Sequence, residues 1–168
     1  FRGEDWVIDD RVRNLASRNV YSLPRHRDLP FLDPHWVVRA NGRREIGPNA
    51  VPVPGPRRYE GLVWPVTAWI VKLLEPPVRN KVQLAMNRDF LALSTQEMLS
   101  SLSKGEMLRR VQRFLPSLRE EHLVSKGTAG IRSTVVNAHG ALMKEAIEVP
   151  GPHSYHILNY NSPGATGA

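Results

Sequence analysis

Between two short apolar runs, His35-Trp36-Val37-Val38-Arg39 and Glu45-Ile46-Gly47, the chain places Asn41-Gly42. No other feature constrains the fold as much. A turn tight enough to reverse a strand needs positive backbone φ, which Gly and Asn adopt at least cost, so the two runs are predicted to pair as an antiparallel hairpin. Pro48, Pro52, Pro54 and Pro56 follow. Each lacks the amide hydrogen that an interior strand must donate, so this stretch is predicted to be an edge or a loop. Val20-Tyr21-Ser22-Leu23 is a further candidate strand.

The middle of the chain changes period. From Pro65, the apolar residues Val66, Trp69, Ile70, Leu73 and Leu74 recur at helical spacing, and Pro76-Pro77 closes the segment. Ser94 with Glu97, and Ser103 with Glu106, each spell a Ser-x-x-Glu capping box, predicting two more helix starts. Met107, Leu108, Val111, Phe114 and Leu115 form the buried stripe of the second, with Pro116 as its stop. Beyond Glu120 the pattern returns to strands: around Leu123-Val124, from Ile131 to Val136, and a pair made of 146–149 and 153–160 about the turn Pro150-Gly151-Pro152. In that last strand Tyr155, Ile157 and Asn159 alternate with His156, Leu158 and Tyr160, predicting one face on a core and one toward a ligand. Strands, helices, then strands predict an α+β fold: an antiparallel or mixed sheet with a helical insertion packed on one side.

A chain of 168 residues with 41% hydrophobic content is sized for one domain with an ordinary core. Its 23 Lys and Arg against 16 Asp and Glu give a net charge of +7, which favours an anionic partner. The absence of cysteine excludes disulfides, a thiolate nucleophile and cysteine-ligated metal centres, and no metal site is expected. The longest apolar stretch, Leu62 to Leu74, is interrupted by Pro65, Thr67 and Lys72 and is short of the roughly 20 residues that span a bilayer. A cytoplasmic or peripheral-membrane location is the expectation. The ending Ser162-Pro163-Gly164-Ala165-Thr166-Gly167-Ala168 has the small residues of a backbone cradle opening a helix. That ending, and Phe1 at the other end, lead us to expect a piece of a larger protein.

Five segments, taken in order, resemble the carboxyl-terminal half of the glycine-oxidase and D-amino-acid-oxidase superfamily of flavoenzymes, most closely its L-2-hydroxyglutarate oxidases and dehydrogenases. They are Phe1-Arg2-Gly3-Glu4; Leu29-Pro30-Phe31-Leu32 with His35; Gly47-Pro48-Asn49-Ala50-Val51; Ala129-Gly130-Ile131-Arg132; and His156-Ile157-Leu158-Asn159 through Thr166. The resemblance implies that residues 1–168 form a substrate-binding domain whose sheet roofs the flavin of FAD. The dinucleotide-binding domain would be a separate part of the same protein, since no G-x-G-x-x-G follows a strand here. The chain departs from the family where Asp33-Pro34-His35-Trp36 replaces Gly-Val-His-Phe, and where the loop 54–61 rearranges an Arg-Glu-Gly-Tyr motif.

The resemblance assigns Arg132 to the carboxylate of a 2-hydroxy acid, a role that a planar guanidinium suits through bidentate hydrogen bonding. His35 is the candidate base for the hydroxyl proton, because imidazole titrates near neutrality. His156 is a second candidate for that role. Asn49 is read as hydrogen-bonding either substrate or a neighbouring loop. Gly164, Ala165 and Thr166 are the flavin-contact candidates, their amides at a helix start stabilising charge that develops on the cofactor. Arg57 and Arg58 are candidates for the second carboxylate of a diacid, or are solvated. Three alternatives stay open at this point. They are oxidation of an amine or amino acid, a basic nucleic-acid module using Arg109, Arg110 and Arg113, and a peripheral membrane or quinone contact through Trp64 and Trp69. Of these the nucleic-acid module is not expected, since the chain lacks stacking motifs.

Overall fold

The computed structural model describes residues 1–23, 33–61 and 66–159. Its centre is a four-stranded antiparallel sheet in the order β2-β3-β1-β4, formed by β1 (Arg2–Ile8), β2 (His35–Val38), β3 (Arg44–Gly47) and β4 (Leu123–Ile131). The hairpin forms as expected: His35 pairs with Gly47 and Val38 with Arg44. The Gly42 amide donates to the Arg39 carbonyl at 2.9 Å, and Gly42 adopts φ 84°, the left-handed conformation that the turn requires.

Strand period then divides the sheet into two faces. Trp36 lies opposite Ile46, and Ile46 opposite Trp6, so these three large side chains form one row across β2, β3 and β1. They point at the helical layer, where they meet Met107, Leu108, Val111, Leu115 and Leu118 in a single buried cluster completed by Ile8 and Leu123. Each such buried side chain contributes about 1.5–3 kcal/mol through apolar surface removed from water. The residues of opposite parity, including His35 and Val37, face the other way.

The helical layer comprises α1 (Val66–Leu74), α2 (Val78–Met86), α3 (Arg88–Leu102) and α4 (Lys104–Val111). Helix α1 forms where the apolar spacing predicts it, yet none of its residues is buried, and Val66, Val71 and Leu74 stand exposed. Helix α4 begins at its Ser cap: the Ser103 side chain accepts the Glu106 amide hydrogen at 3.3 Å. It ends at Val111 rather than at Pro116, the chain turning through 112–115 so that Leu115 still reaches the core.

Other expectations are corrected. Ser94 and Glu97 do not start a helix; they lie buried in the middle of α3, which is capped by Asn87 accepting the Phe90 amide hydrogen at 3.0 Å. The Ser-x-x-Glu spacing fits one helix face as well as a cap, and here burial of that face decides. Val20 makes one bridge to Trp36 instead of opening a strand. The runs near Leu123 and Ile131 are one nine-residue strand, β4, while Val136 makes only a bridge to Leu142.

The last two strands, β5 (Ile147–Gly151) and β6 (Ser154–Leu158), pair as expected. Neither face of β6 rests on the core, however, since all five of its residues are exposed among the described residues. Strand β1 and helix α2 were not anticipated. The short 3-10 helix over Asp10–Leu15 was also missed. No helix of the described residues is long and apolar enough to cross a membrane.

The two Ser-x-x-Glu motifs are separable by mutation. Ser103→Ala removes a working cap and is expected to lower stability by about 1 kcal/mol. Ser94→Ala replaces a buried hydroxyl that has no hydrogen-bond partner, and is expected to be neutral or slightly stabilising. Urea denaturation of both variants checks this; equal losses would contradict the assignment.

Candidate active site

On the sheet face opposite the core lies an open-sided cavity of about 560 Å³. Its wall takes Gly3 and Asp5 from β1, His35 and Val37 from β2, and Gly130 and Ile131 from β4, with Arg132 just beyond. Pro48, Asn49 and Ala50 close another side. Four segments distant in sequence thus meet because they are adjacent strands or their immediate continuations.

His35 is 8% exposed and stacks on Tyr21, with ring centroids 4.4 Å apart. Its Nδ1 lies 3.3 Å from the Asp33 carbonyl oxygen. A carbonyl oxygen only accepts, so this hydrogen bond places the proton on Nδ1 and leaves Nε2 with a lone pair. Burial pushes the imidazole pKa down, and the nearby Arg39 charge adds to that, against the opposing Asp33 contact. Burial of His35 thus favours the neutral form, the one that accepts a proton.

Arg132 extends the ladder of β4 beside the amino-terminal residue, its amide donating to the Phe1 carbonyl at 2.8 Å. Its half-buried guanidinium has its pKa lowered by desolvation, which marks a cation partly removed from water at the cavity edge. Next to it, a Cβ added at Gly130 would meet nothing within 4 Å, so space is left beside the backbone there.

Asn49 lines the cavity, but its side-chain amide is engaged elsewhere. Oδ1 accepts the Glu4 amide hydrogen at 2.9 Å and Nδ2 donates to Glu4 Oε2 at 3.3 Å. Its partner is Glu4 of strand β1, not a neighbouring loop. His156 is exposed on β6, its Nε2 2.9 Å from Ser154 Oγ, and is not among the cavity residues. Arg57 and Arg58 are exposed and also lie outside the cavity wall. Gly164, Ala165 and Thr166, the segment 29–32 and Trp64 lie outside the described residues.

Sequence reasoning missed a charged cluster in this wall. Arg39, at the end of β2, donates from Nε to Glu45 Oε2 at 2.6 Å and from Nη2 to Asp5 Oδ2 at 2.8 Å; Arg43 binds the other Glu45 oxygen. Glu45 is fully buried and Asp5 nearly so. The remaining Asp5 oxygen has no hydrogen-bond partner and abuts Gly47, whose φ of 148° and lack of a side chain permit the approach. Burial, with the Glu45 charge beside it, raises the Asp5 pKa to about 6 despite Arg39. The only advance signal was an excess of charge within short strand segments.

The basic helix face weighed from sequence does not exist as such. Arg109 pairs with Glu106 at 2.6 Å, and Arg110 is buried against Glu97 at 2.8 Å.

Asp5 makes stability depend on pH. Its folded pKa lies above that of the unfolded chain, so the native state holds the extra proton between about pH 4 and 6, and stability falls as pH rises through that window. Asn at this position does not titrate. The stability of Asp5→Asn relative to the parent is expected to rise by roughly 2 kcal/mol from pH 4 to pH 7, measured by urea denaturation, whereas a flat difference would mean an unshifted carboxyl.

No family model matches the chain. Individual proteins do, along its whole length. The chain is 30% identical to the L-2-hydroxyglutarate dehydrogenase of Salmonella houtenae and 29% identical to that of Escherichia coli strain K12, each over 168 residues. It is 29% identical to the mitochondrial L-2-hydroxyglutarate dehydrogenase of Caenorhabditis elegans over 173 residues. In each case the alignment covers 100% of this chain and 38% of the relative. Over its whole length, the chain is thus a homologue of the L-2-hydroxyglutarate dehydrogenases, and it spans a little over a third of their length.

Proposed function

We propose that this chain supplies the substrate side of a flavin-dependent oxidoreductase that oxidises a 2-hydroxy acid of the L-2-hydroxyglutarate type. The observation that carries this reading is a buried imidazole and a half-buried guanidinium in the wall of one cavity, His35 and Arg132. The names of the relatives point to the same substrate class.

The chemistry follows from those groups. Arg132 holds the substrate carboxylate, a charge-assisted contact that gains strength where water is partly excluded. The His35 Nε2 lone pair accepts the hydroxyl proton as the C–H bond breaks, while Nδ1–H stays on the Asp33 carbonyl. Loss of that proton is what allows the C–O bond to become a carbonyl. FAD, when bound, supplies the acceptor for the two electrons that leave with the C–H hydrogen as hydride. The residues here fit such a group at one edge: Gly130 carries no side chain, and the space beside it within the cavity wall is open. Gly164, Ala165 and Thr166 would contact it in this reading. The dinucleotide-binding part of the protein and a small anionic substrate are the implied partners. The electron acceptor beyond the flavin, including a quinone at a membrane surface, does not bear on this chemistry.

The test is an absorbance spectrum of the purified holoprotein followed by anaerobic addition of L-2-hydroxyglutarate. Flavin bands that bleach support the reading; bands that persist with it but bleach with an amino acid would move the assignment to amine oxidation. With the active protein, His35→Gln is expected to lower kcat/KM by roughly 100-fold to 10,000-fold. The acid limb of the parent's pH profile should lie below the ordinary histidine value of about 6.5 and be missing in the variant. Arg132→Leu is expected to raise KM by roughly 10-fold to 100-fold, as loss of hydrogen bonds to a charged group implies.

A further inference from the structure

Behind the sheet, away from the cavity, Arg110 of α4 is only 8% exposed. Its Nη2 lies 2.8 Å from Glu97 Oε1 and 3.3 Å from Asp33 Oδ1, and its Nη1 donates to Ser100 Oγ at 2.9 Å. Glu97, 2% exposed on α3, uses its second oxygen to accept the Ala50 amide hydrogen at 2.8 Å. Burying two carboxylates and a guanidinium is costly, and apolar residues of similar volume often serve stability equally well. Stability alone gives no reason to prefer these residues to apolar ones.

Where the cluster's two outer contacts lie does account for them. One is Asp33, whose carboxylate meets Arg110 and whose carbonyl oxygen accepts from His35 Nδ1. Pro34, fully buried and fixed in φ, joins the two. The other is Ala50, which lines the cavity beside Asn49. A single buried ion cluster on the helical side thus grips both the entry to β2 and the loop after β3, two walls of the same cavity.

We infer that Arg110, Glu97 and Asp33 act as a positioning relay, aiming the Asp33 carbonyl at His35 so that its proton stays on Nδ1 and its Nε2 lone pair faces the cavity. The inference rests on the reading of His35 as the base. Asp33 is also where the chain departs from the Gly of the motif that it otherwise resembles: a Gly would keep the carbonyl that meets His35 but would lack the carboxylate that Arg110 holds. The other groups around His35 are the stacked ring of Tyr21, the Arg39 guanidinium just past β2, and Asp5 and Arg132, which line the same cavity. Among the described residues, Asp33 is the one that supplies an acceptor to Nδ1.

The experiment is nitrogen NMR of the histidine-labelled holoprotein, with the His35 signals assigned through His35→Gln, beside steady-state kinetics. The parent is expected to show His35 protonated at Nδ1 alone. Asp33→Ala is expected to give a mixture of the two tautomers and to lower kcat roughly 10-fold to 100-fold while KM changes little, as a small misplacement of a reacting group implies. Arg110→Met should reproduce the tautomer mixture, and Arg110→Lys, which keeps the cation, should restore the parent's spectrum in large part. A proton on Nε2 in the parent would overturn the relay. So would an Asp33→Ala spectrum identical to that of the parent, or unfolding of Arg110→Met with Asp33→Ala unchanged in spectrum and kcat. Failure of the catalytic reading looks different: His35→Gln would keep full turnover, whereas the tautomer response to Asp33→Ala would still report on the relay.

Discussion

The row of Trp36, Ile46 and Trp6 across three strands is the constraint on which the remaining geometry depends. Strand side chains alternate between faces, so once these three are buried against Met107, Val111 and Leu118, the parity of every neighbouring residue is settled. His35 and Val37 must point away from the helices. A shift of one residue in the pairing of β2 would turn His35 into the helical core and Trp36 out of it, a change that the apolar term alone forbids at about 2 kcal/mol or more. The site is therefore a consequence of the core, lying on the other side of the same strands.

Charge is distributed about the sheet with the same sidedness. On the helical face, Glu4 collects Arg2 at 2.7 Å, Lys126 at 3.1 Å and the Ser101 hydroxyl. Burial pushes its pKa up, but Ser101, Lys126 and Arg2 together outweigh that and hold the carboxyl below its ordinary range. Lys126 also sits 4.2 Å from the ring centroid of Trp6, so a cation covers the edge of the apolar row. On the cavity face, Asp5 and Glu45 share Arg39, and there burial wins, leaving Asp5 easier to protonate. The contrast between two neighbours on one strand comes from the number of donors: Glu4 has several around both oxygens, while one oxygen of Asp5 has none.

Some of this was legible in the amino-acid order. The hairpin about Gly42, helix α1, the Ser103 cap, the buried stripe of α4 and the pairing of β5 with β6 all rest on local rules, namely turn conformation, helical period and capping. The errors share a cause. Ser94-x-x-Glu97 satisfies the cap rule and the one-face rule equally, and only the presence of Arg110 on another helix selects the second. Strand β1 was overlooked because its alternation carries Arg2, Glu4 and Asp5, charges that look solvent-facing until partners from β4, α3 and β2 are supplied.

By itself the sequence determined the type of most elements and the α+β class, and it supplied the candidates for the proposed chemistry, because those properties belong to side chains and to contacts within a few residues. His35 and Arg132 could be named from their chemistry and motif. Tertiary structure alone decided that they share a cavity 97 residues apart in the chain, that Asn49 is held by Glu4, and that Arg110 lies buried against Glu97 and Asp33. Those outcomes depend on pairings between distant segments, and the energy of burying a charge is set by partners that no local stretch of chain contains.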